Sequence, residues 1–314
     1  MDLFFSRETN MQNHSMVTEI FLLGFQHLHN FKNLIISLIL LIYLPIIFEN
    51  AFVITLIRIN QDLQSPMFFF FQQLSFSDLL LSVVIVPTLL RTVMDEGTKI
   101  PLIGCIVQLY FFCATETLQS LLLTVMSYDR YLAICNPLRY SSLMSHRVCV
   151  KLIAISWLLA LSVTSVVVFS VATQEFCNQN TINHFFCDLF PLLELSCSDT
   201  SLAWILAITL SFLLTVFPFI FIIGSYICIA HEILKIVSNT GRQKAFSTCS
   251  SHLAVVSIFY GTLIVTYVVP TRNQSQNISK HLSLSYTVVT PFINPLIYSL
   301  KSTDIKNALK NIMQ

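Results

Sequence analysis

Seven apolar stretches dominate this chain, and they leave it few folds to adopt. They lie at about 33–58, 67–90, 104–134, 148–170, 203–229, 246–269 and 282–300, each near or above the roughly 20 residues that span a hydrocarbon core of about 30 Å as a helix. Inside lipid a backbone N–H or C=O finds no water, so a spanning segment must satisfy its own hydrogen bonds. The expected fold is therefore all-α: a membrane protein built as a seven-transmembrane helix bundle. Composition agrees, because only 11% of the 314 residues are charged, against about 25% in soluble domains. A net charge of +1 with no basic block argues against a nucleic-acid partner.

An odd number of spans puts the two termini on opposite sides of the membrane, and Lys and Arg choose which. With the N terminus outside, 11 of the 17 Lys and Arg fall on inner segments, among them Arg58, Arg130, Arg139, Arg147 and Lys151. Residues 1–32 are then an extracellular tail. Its apolar patch Ile20–Phe25 is too short for the core of a cleavable signal peptide, so the first span is expected to serve as insertion signal. Residues 33–300 form the bundle and 301–314 a cytoplasmic tail, in which Ile305 and Leu309, spaced i and i+4, indicate a short amphipathic helix 8 on the membrane surface. No internal repeat or low-complexity linker interrupts this plan.

The nine cysteines divide by side under this topology. Cys105, Cys177, Cys187 and Cys197 lie outside, where disulfides persist, and Cys113, Cys135, Cys149, Cys228 and Cys249 are expected to be free thiols. Four cysteines allow three pairings, among which spacing does not choose. His184, Cys187 and Asp188 admit a metal-site reading as well, provided Cys187 is a free thiolate. Asn13, Asn273 and Asn277 head glycosylation sequons, of which the last two lie close to the membrane.

Short motifs occur in a fixed order along the spans. Leu63-Gln64-Ser65-Pro66-Met67-Phe68-Phe69-Phe70 enters the second span and Leu74-Ser75-Phe76-Ser77-Asp78 follows it. Met126-Ser127-Tyr128-Asp129-Arg130-Tyr131-Leu132-Ala133-Ile134-Cys135 closes the third, with Asn136-Pro137-Leu138-Arg139-Tyr140 next. Ser225-Tyr226 lies on the fifth span, and Lys244-Ala245-Phe246-Ser247-Thr248-Cys249-Ser250-Ser251-His252-Leu253 and Phe259-Tyr260-Gly261-Thr262 on the sixth. Pro291-Phe292-Ile293-Asn294-Pro295-Leu296-Ile297-Tyr298 ends the seventh. Together, over nearly the whole chain, they resemble the vertebrate olfactory (odorant) receptors, a branch of the rhodopsin-like G-protein-coupled receptors. Four positions depart from that pattern: Gln64 and Phe68 stand where the family usually has His and Tyr, Glu49 where it has Gly, and Gln119 where it has an acid. One acid is gained and one lost, an exchange expected around one polar centre.

The resemblance implies a sensor in the plasma membrane of olfactory neuron cilia, with its N terminus outside. It implies a small volatile odorant as ligand and, as partner, a heterotrimeric G protein of the stimulatory olfactory type that raises cyclic AMP. It implies disulfides Cys105–Cys187 and Cys177–Cys197, glycosylation at Asn13, no cofactor and no metal. It also implies that Asp129 holds Arg130 at rest, that movement of the fifth and sixth spans frees Arg130 for the G protein, and that Tyr226 and Tyr298 steady the open form. His252 joins this set through its motif.

Physical chemistry reaches some of the same residues independently. An ionisable group at the bilayer centre costs about 2.5–3.5 kcal/mol, so Asp78 is expected to be a hydrogen-bond node joining Asn50 and Asn294. Pro295 after Asn294 breaks the helical ladder and leaves a bend. Arg130 lies about 37 Å along the helix from Cys105, beyond the hydrocarbon.

A ligand site is expected in the outer half of the bundle, between the third, fifth, sixth and seventh spans. Phe112, Glu116, Gln119, Ser120 and Leu123 share one face of the third helix, with Cys113 and Thr117 beside them. Glu116 lies about 16 Å below Cys105, and Tyr260 about 15 Å below Pro270, so the two are at matching depth, with Leu263 and Tyr267 above Tyr260. Leu210, Ser211 and Leu214 are expected to close the site. Such a cavity suits a small, largely apolar ligand with a hydrogen-bonding group: an alcohol, ketone, ester or amine. The competing reading for each Leu and aromatic is plain helix packing.

Other functions find less support. A transporter or channel often shows inverted repeats and paired broken helices, and neither is visible. A receptor for amines is expected to carry an acid where Phe112 stands. An enzyme needs a nucleophile with its base, or a metal-ligand set, in helical register, and none is present.

Overall fold

The computed structural model describes residues 17–25, 30–177, 180–267, 280, 283–301, 305–308 and 310. Helices α1 (Lys32–Ile59), α2 (Pro66–Met94), α3 (Leu102–Cys135) and α5 (His146–Ala172) are each long and apolar enough to cross a membrane. So is the continuous helix Ser201–Lys235, in which α7 (Ser201–Ser211) passes through a π-helical turn (Phe212–Val216) into α8 (Phe217–Lys235). α9 (Asn239–Tyr267) and α10 (Thr290–Lys301), with the π-helical turn Ser285–Val289 before it, hold the two shorter apolar stretches. Two short helices, α4 (Pro137–Leu143) and α6 (Leu189–Leu193), lie in the connections.

Local chemistry explains the punctuation. Pro66 and Pro137 occupy the first turns of α2 and α4, where a missing N–H costs nothing. Asn60 leaves the helical region at the end of α1, and its Oδ1 accepts from the Asp62 N–H at 2.9 Å, starting a 3₁₀ turn. The Asp188 carboxylate caps α6 by accepting from the Leu189 N–H at 2.7 Å. Several helices outrun their apolar stretches. α9 begins at Asn239 among polar residues that carry no hydropathy signal, because that turn lies beyond the lipid.

α3 is the axis of the bundle. Leu118, Leu122 and Met126 meet Phe70, Phe71 and Leu74 of α2, Val255 and Phe259 of α9 and Tyr298 of α10 in the main core. α1, by contrast, shows lipid a row of exposed apolar side chains that includes Leu41, Leu44 and Phe48.

One end of the bundle carries a lid. Strand β1 (Glu19–Leu22) pairs antiparallel with β2 (Thr98–Pro101) and parallel with β3 (Thr181–Ile182), in the order β2-β1-β3. Ile20 and Leu22 are fully buried beneath it, so part of the expected N-terminal tail is a core element. The turn from α2 into β2 needs Gly97 at φ 122°, where an added Cβ would come within 2.6 Å of the Phe21 ring. Disulfides join Cys105 to Cys187 and Cys177 to Cys197, with Cα–Cα distances of 5.4 and 6.0 Å. Lys280 latches two lid segments by donating from Nζ to the Gly24 carbonyl at 2.7 Å and to Asn183 Oδ1 at 2.6 Å. Ile305 and Ala308, beyond α10, are buried in the main core while Lys306 and Asn307 face outward.

Candidate functional site

Two groups of polar side chains are arranged along α3. The deeper one lies at the end opposite the lid. Asp129 is fully buried and accepts from Arg130 Nη2 at 2.6 Å and Nε at 3.0 Å. Its other oxygen accepts from the Tyr140 hydroxyl at 2.8 Å. Sequence reading gave Tyr140 no role. The usable signal was Pro137, which starts the short helix that carries Tyr140 back to α3. Beside this group the Tyr226 hydroxyl meets His252 Nδ1 at 2.7 Å, and His252 Nε2 meets the Leu123 carbonyl at 3.1 Å. Ser127 and Ser225 join hydroxyls at 3.0 Å. The Tyr298 ring packs on Phe71 at 4.2 Å, and its hydroxyl has no hydrogen-bond partner among the described residues.

Between this group and the lid sits Asp78, with no exposed surface. One oxygen accepts from Gln119 Nε2 at 2.8 Å and the other from Asn294 Nδ2 at 3.0 Å. Asn50, expected at this node, is not bonded to it. Its amide donates to the Pro291 carbonyl at 3.1 Å and the Ile46 carbonyl at 2.9 Å. Pro295 accounts for this geometry: it has no N–H to offer the carbonyl four residues back, which is that of Pro291, so a side chain from α1 takes its place. The exchange of acids resolves into separate sites. Gln119 donates to Asp78, whereas no hydrogen bond among the described residues links Glu49 to either.

A second proline organises the half of the bundle under the lid. Pro218 has no N–H for the Leu214 carbonyl, and the π-helical turn lies just before it. The Ser120 hydroxyl of α3 donates to that carbonyl at 2.8 Å and meets the Tyr260 hydroxyl of α9 at 2.9 Å. With the Ser120 proton on the carbonyl, Tyr260 is the donor of the second bond. Its ring stacks on Phe219 at 4.5 Å. One buried serine therefore ties three helices together.

Above it, the Glu116 carboxyl is within electrostatic range of Asp78, Asp188 and Cys113. Its Oε2 is buried with no hydrogen-bond partner among the described residues. The roof is aromatic: Phe112 packs on Phe186 at 4.9 Å, and the His184 ring lies 4.7 Å from Phe185 and 4.5 Å from Phe186. Gln108, which sequence reading passed over, holds this roof by accepting from the Cys187 N–H at 2.9 Å and donating to Val84 O and Thr88 Oγ1. His184 is outside the spans, and burial with the nearby Lys280 ammonium pushes its imidazole down to about 3. Burial pushes the Asp188 carboxyl up to about 6 against the pull of the Leu189 N–H. Cys187 is committed to its disulfide and Asp188 to its cap, so neither is free for the metal reading.

The structure thus brings Ser120, Leu214 and Tyr260 together, places Leu263 against the same core, and sets Cys113 beside Glu116. Leu210 packs into the lid cluster. Phe112 closes on the lid and α2 rather than turning toward α8 and α9. Thr117 is half-buried. Ser211 is a correction: it is exposed on the outer face of its helix, because the inward stripe is carried by Leu210 and Leu214 one turn apart. The Tyr267 side chain and the sequons at Asn13, Asn273 and Asn277 lie outside the described residues.

Comparison with known proteins gives one consistent result. A family model described as "Olfactory receptor" matches residues 39–314. The chain is 43% identical over 303 residues to olfactory receptor 1E2 of Gorilla gorilla gorilla, covering 96% of each chain. It is 42% identical over 303 residues to olfactory receptor 1496 of Rattus norvegicus, covering 96% of this chain and 98% of the relative. It is 43% identical over 303 residues to olfactory receptor 11L1 of Homo sapiens, covering 96% of this chain and 94% of the relative.

Proposed function

This chain belongs to the olfactory receptor family of multi-pass, G-protein-coupled membrane receptors, and from that premise we propose how its parts divide the work. The lid end faces outward with the N-terminal tail, residues 1–32, and the Arg130 end faces the cytoplasm with residues 301–314. The segment 33–300 is the transducing bundle. The observation that carries the reading is Glu116 Oε2, buried without a hydrogen-bond partner among the described residues, one turn above the Ser120–Tyr260 pair. A buried polar group left unpaired costs about 1–3 kcal/mol or more, and a ligand that satisfies it recovers that energy as affinity. The site takes a small, largely apolar odorant with a hydrogen-bonding group.

Signal passes along α3. A ligand at Glu116 shifts Ser120 and Tyr260, and with them the grip of α3 on the Leu214 carbonyl and α9. Release of Tyr226 from His252 and of Arg130 from Asp129 then opens the cytoplasmic end to a stimulatory, olfactory-type G protein, which raises cyclic AMP. Tyr298, whose hydroxyl has no hydrogen-bond partner among the described residues, takes up a new partner in the open form.

The test is an odorant panel in cells co-expressing the olfactory G protein, read as cyclic AMP. Glu116→Gln is expected to shift agonist potency at least about fivefold, the scale of one polar contact of 1–3 kcal/mol, with surface expression unchanged. Unchanged dose–response curves across a diverse agonist set would remove Glu116 from the site.

A further inference from the structure

A cleft of about 420 Å³ opens at the Arg130 end, between the last turn of α1, the start of α2 and the start of α5. Arg58, Gln64, Gln73 and His146 supply its polar wall, and Phe69 and Met144 its apolar floor. Nothing in the receptor's switch uses it. We propose that this cleft binds the phosphate head group of an anionic phospholipid from the membrane leaflet on that side. The assignment of that leaflet to the cytoplasm rests on the orientation proposed above.

Four observations carry the proposal. Arg58 is exposed in the last turn of α1, and no ion pair among the described residues engages it. His146 is exposed across the cleft, its ring 5.5 Å from that of Phe69. A guanidinium free of carboxylate partners is the side chain best shaped for a phosphate ester. Second, two long helices begin at the cleft wall without side-chain caps: Ser65 precedes α2 and Ser145 precedes α5, and neither hydroxyl bonds the first turn. Their leading N–H groups, and the positive ends of two helix dipoles, add to the same anion-favouring field.

Third, the polar wall retains hydrogen-bonding capacity. Gln73 Oε1 accepts from Trp157 Nε1 at 3.2 Å, which leaves its amide hydrogens without a partner among the described residues. Gln64 donates one amide hydrogen to the Ile57 carbonyl at 3.2 Å, and its second has no partner among the described residues. Fourth, the surroundings suit an amphiphile rather than a soluble anion. Ile59 and Val150 beside the cleft are 66% and 43% exposed, and down the same α2–α5 seam the exposed Phe76 meets Trp157 at 5.9 Å. A head group in the cleft thus sets its acyl chains on an apolar track within the membrane.

The experiment uses the full-length receptor in detergent, by native mass spectrometry with a phosphoinositide, phosphatidylserine and phosphatidylcholine of matched acyl chains. Both anionic lipids are expected to form adducts at least about fivefold more abundant than phosphatidylcholine, and Arg58→Gln combined with His146→Gln to cut them by about that factor. Arg91→Gln, at the lid end, is the control and is expected to change nothing. Equal retention of all three lipids overturns the proposal, as does an undiminished anionic adduct in the double variant. Excess inorganic phosphate separates the sources. A lipid adduct that survives it supports a phospholipid site, and complete displacement overturns that source in favour of free phosphate. A lipid-dependent rise in thermal stability, present in the wild type and absent from the double variant, keeps the test valid if adduct intensities are low. These readouts need neither odorant nor G protein, so failure of the signalling proposal leaves them untouched.

Discussion

The two polar groups on α3 differ in how completely they are satisfied. At the Arg130 end each carboxylate oxygen of Asp129 has a donor, and Tyr226 and His252 share one bond, so the buried charge is paired even though the nearby Tyr298 hydroxyl has no partner among the described residues. Under the lid, Glu116 Oε2 and His184 Nε2 are buried without partners among the described residues. A closed network fixes a state, because opening it strands buried charge. An open one stores a cost that only a new partner removes. The lower group therefore reads as a latch and the upper as a receptor site, with Ser120 between them.

The sharpest way to break that contrast is at the latch. Arg130→Ala is expected to abolish the cyclic AMP response while surface expression stays near wild type. A normal response would show that the closed group is structural packing alone.

Next in size is the lid. Loss of a native disulfide commonly costs about 2–5 kcal/mol, so Cys105→Ser is expected to deplete the receptor from the cell surface and silence it. Non-reducing peptide mapping of the wild type should recover Cys105 joined to Cys187 and Cys177 joined to Cys197. Recovery of Cys105 with Cys177 would overturn the connectivity.

The link between the groups comes third. Tyr260→Phe removes one hydrogen bond worth about 1 kcal/mol, a potency shift of about fivefold, and Ser120→Ala removes that bond together with the one to the Leu214 carbonyl. Because both changes break the same bond, the double variant is expected to shift little further than the larger single. Fully additive shifts would mean that Ser120 does not connect Tyr260 to α8.

The smallest effect is a pH signature of the lid. His184 has a folded pKa of about 3 against 6.5 unfolded, so the lid binds fewer protons closed than open and loses stability as pH falls below 6.5. Asp188 has a folded pKa of about 6 against 3.8, so the closed lid binds more protons and gains stability as pH falls through that window. The two nearly offset one another below pH 6. His184→Gln is expected to expose the Asp188 contribution alone, on the order of 1 kcal/mol per pH unit at most. Protection factors of residues 181–189, which remove the intrinsic slowing of amide exchange in acid, should then rise from pH 6 to pH 4. An unchanged profile would mean that His184 is not shielded from solvent.

Much of the fold was legible because bilayer physics is one-dimensional: uninterrupted apolar runs become spanning helices whatever their neighbours. The lid was not. Ile20–Leu22 is a short apolar patch that becomes a strand only because β2 and β3 are present to pair with it. Of the proposed site, Glu116 and Ser120 were named as one face of α3, by spacing, and Tyr260 by its motif and its depth on the facing helix. Ser211 was misplaced because spacing on one helix does not say which way that helix is turned. Tyr140 and Gln108 escaped because their roles depend on what stands opposite them.

The sequence by itself determined seven membrane helices, the motifs along them and the family, since each follows from local hydropathy or local residue order. Tertiary structure alone decided which polar groups meet. Pro218 and Pro295 each deprive one carbonyl of its helical donor, a local fact, yet whether Ser120 and Asn50 fill those vacancies depends on how α1 and α3 pack against their neighbours. Hydrogen bonds across helices reach only about 3 Å, so their partners are fixed by the packed geometry of the bundle.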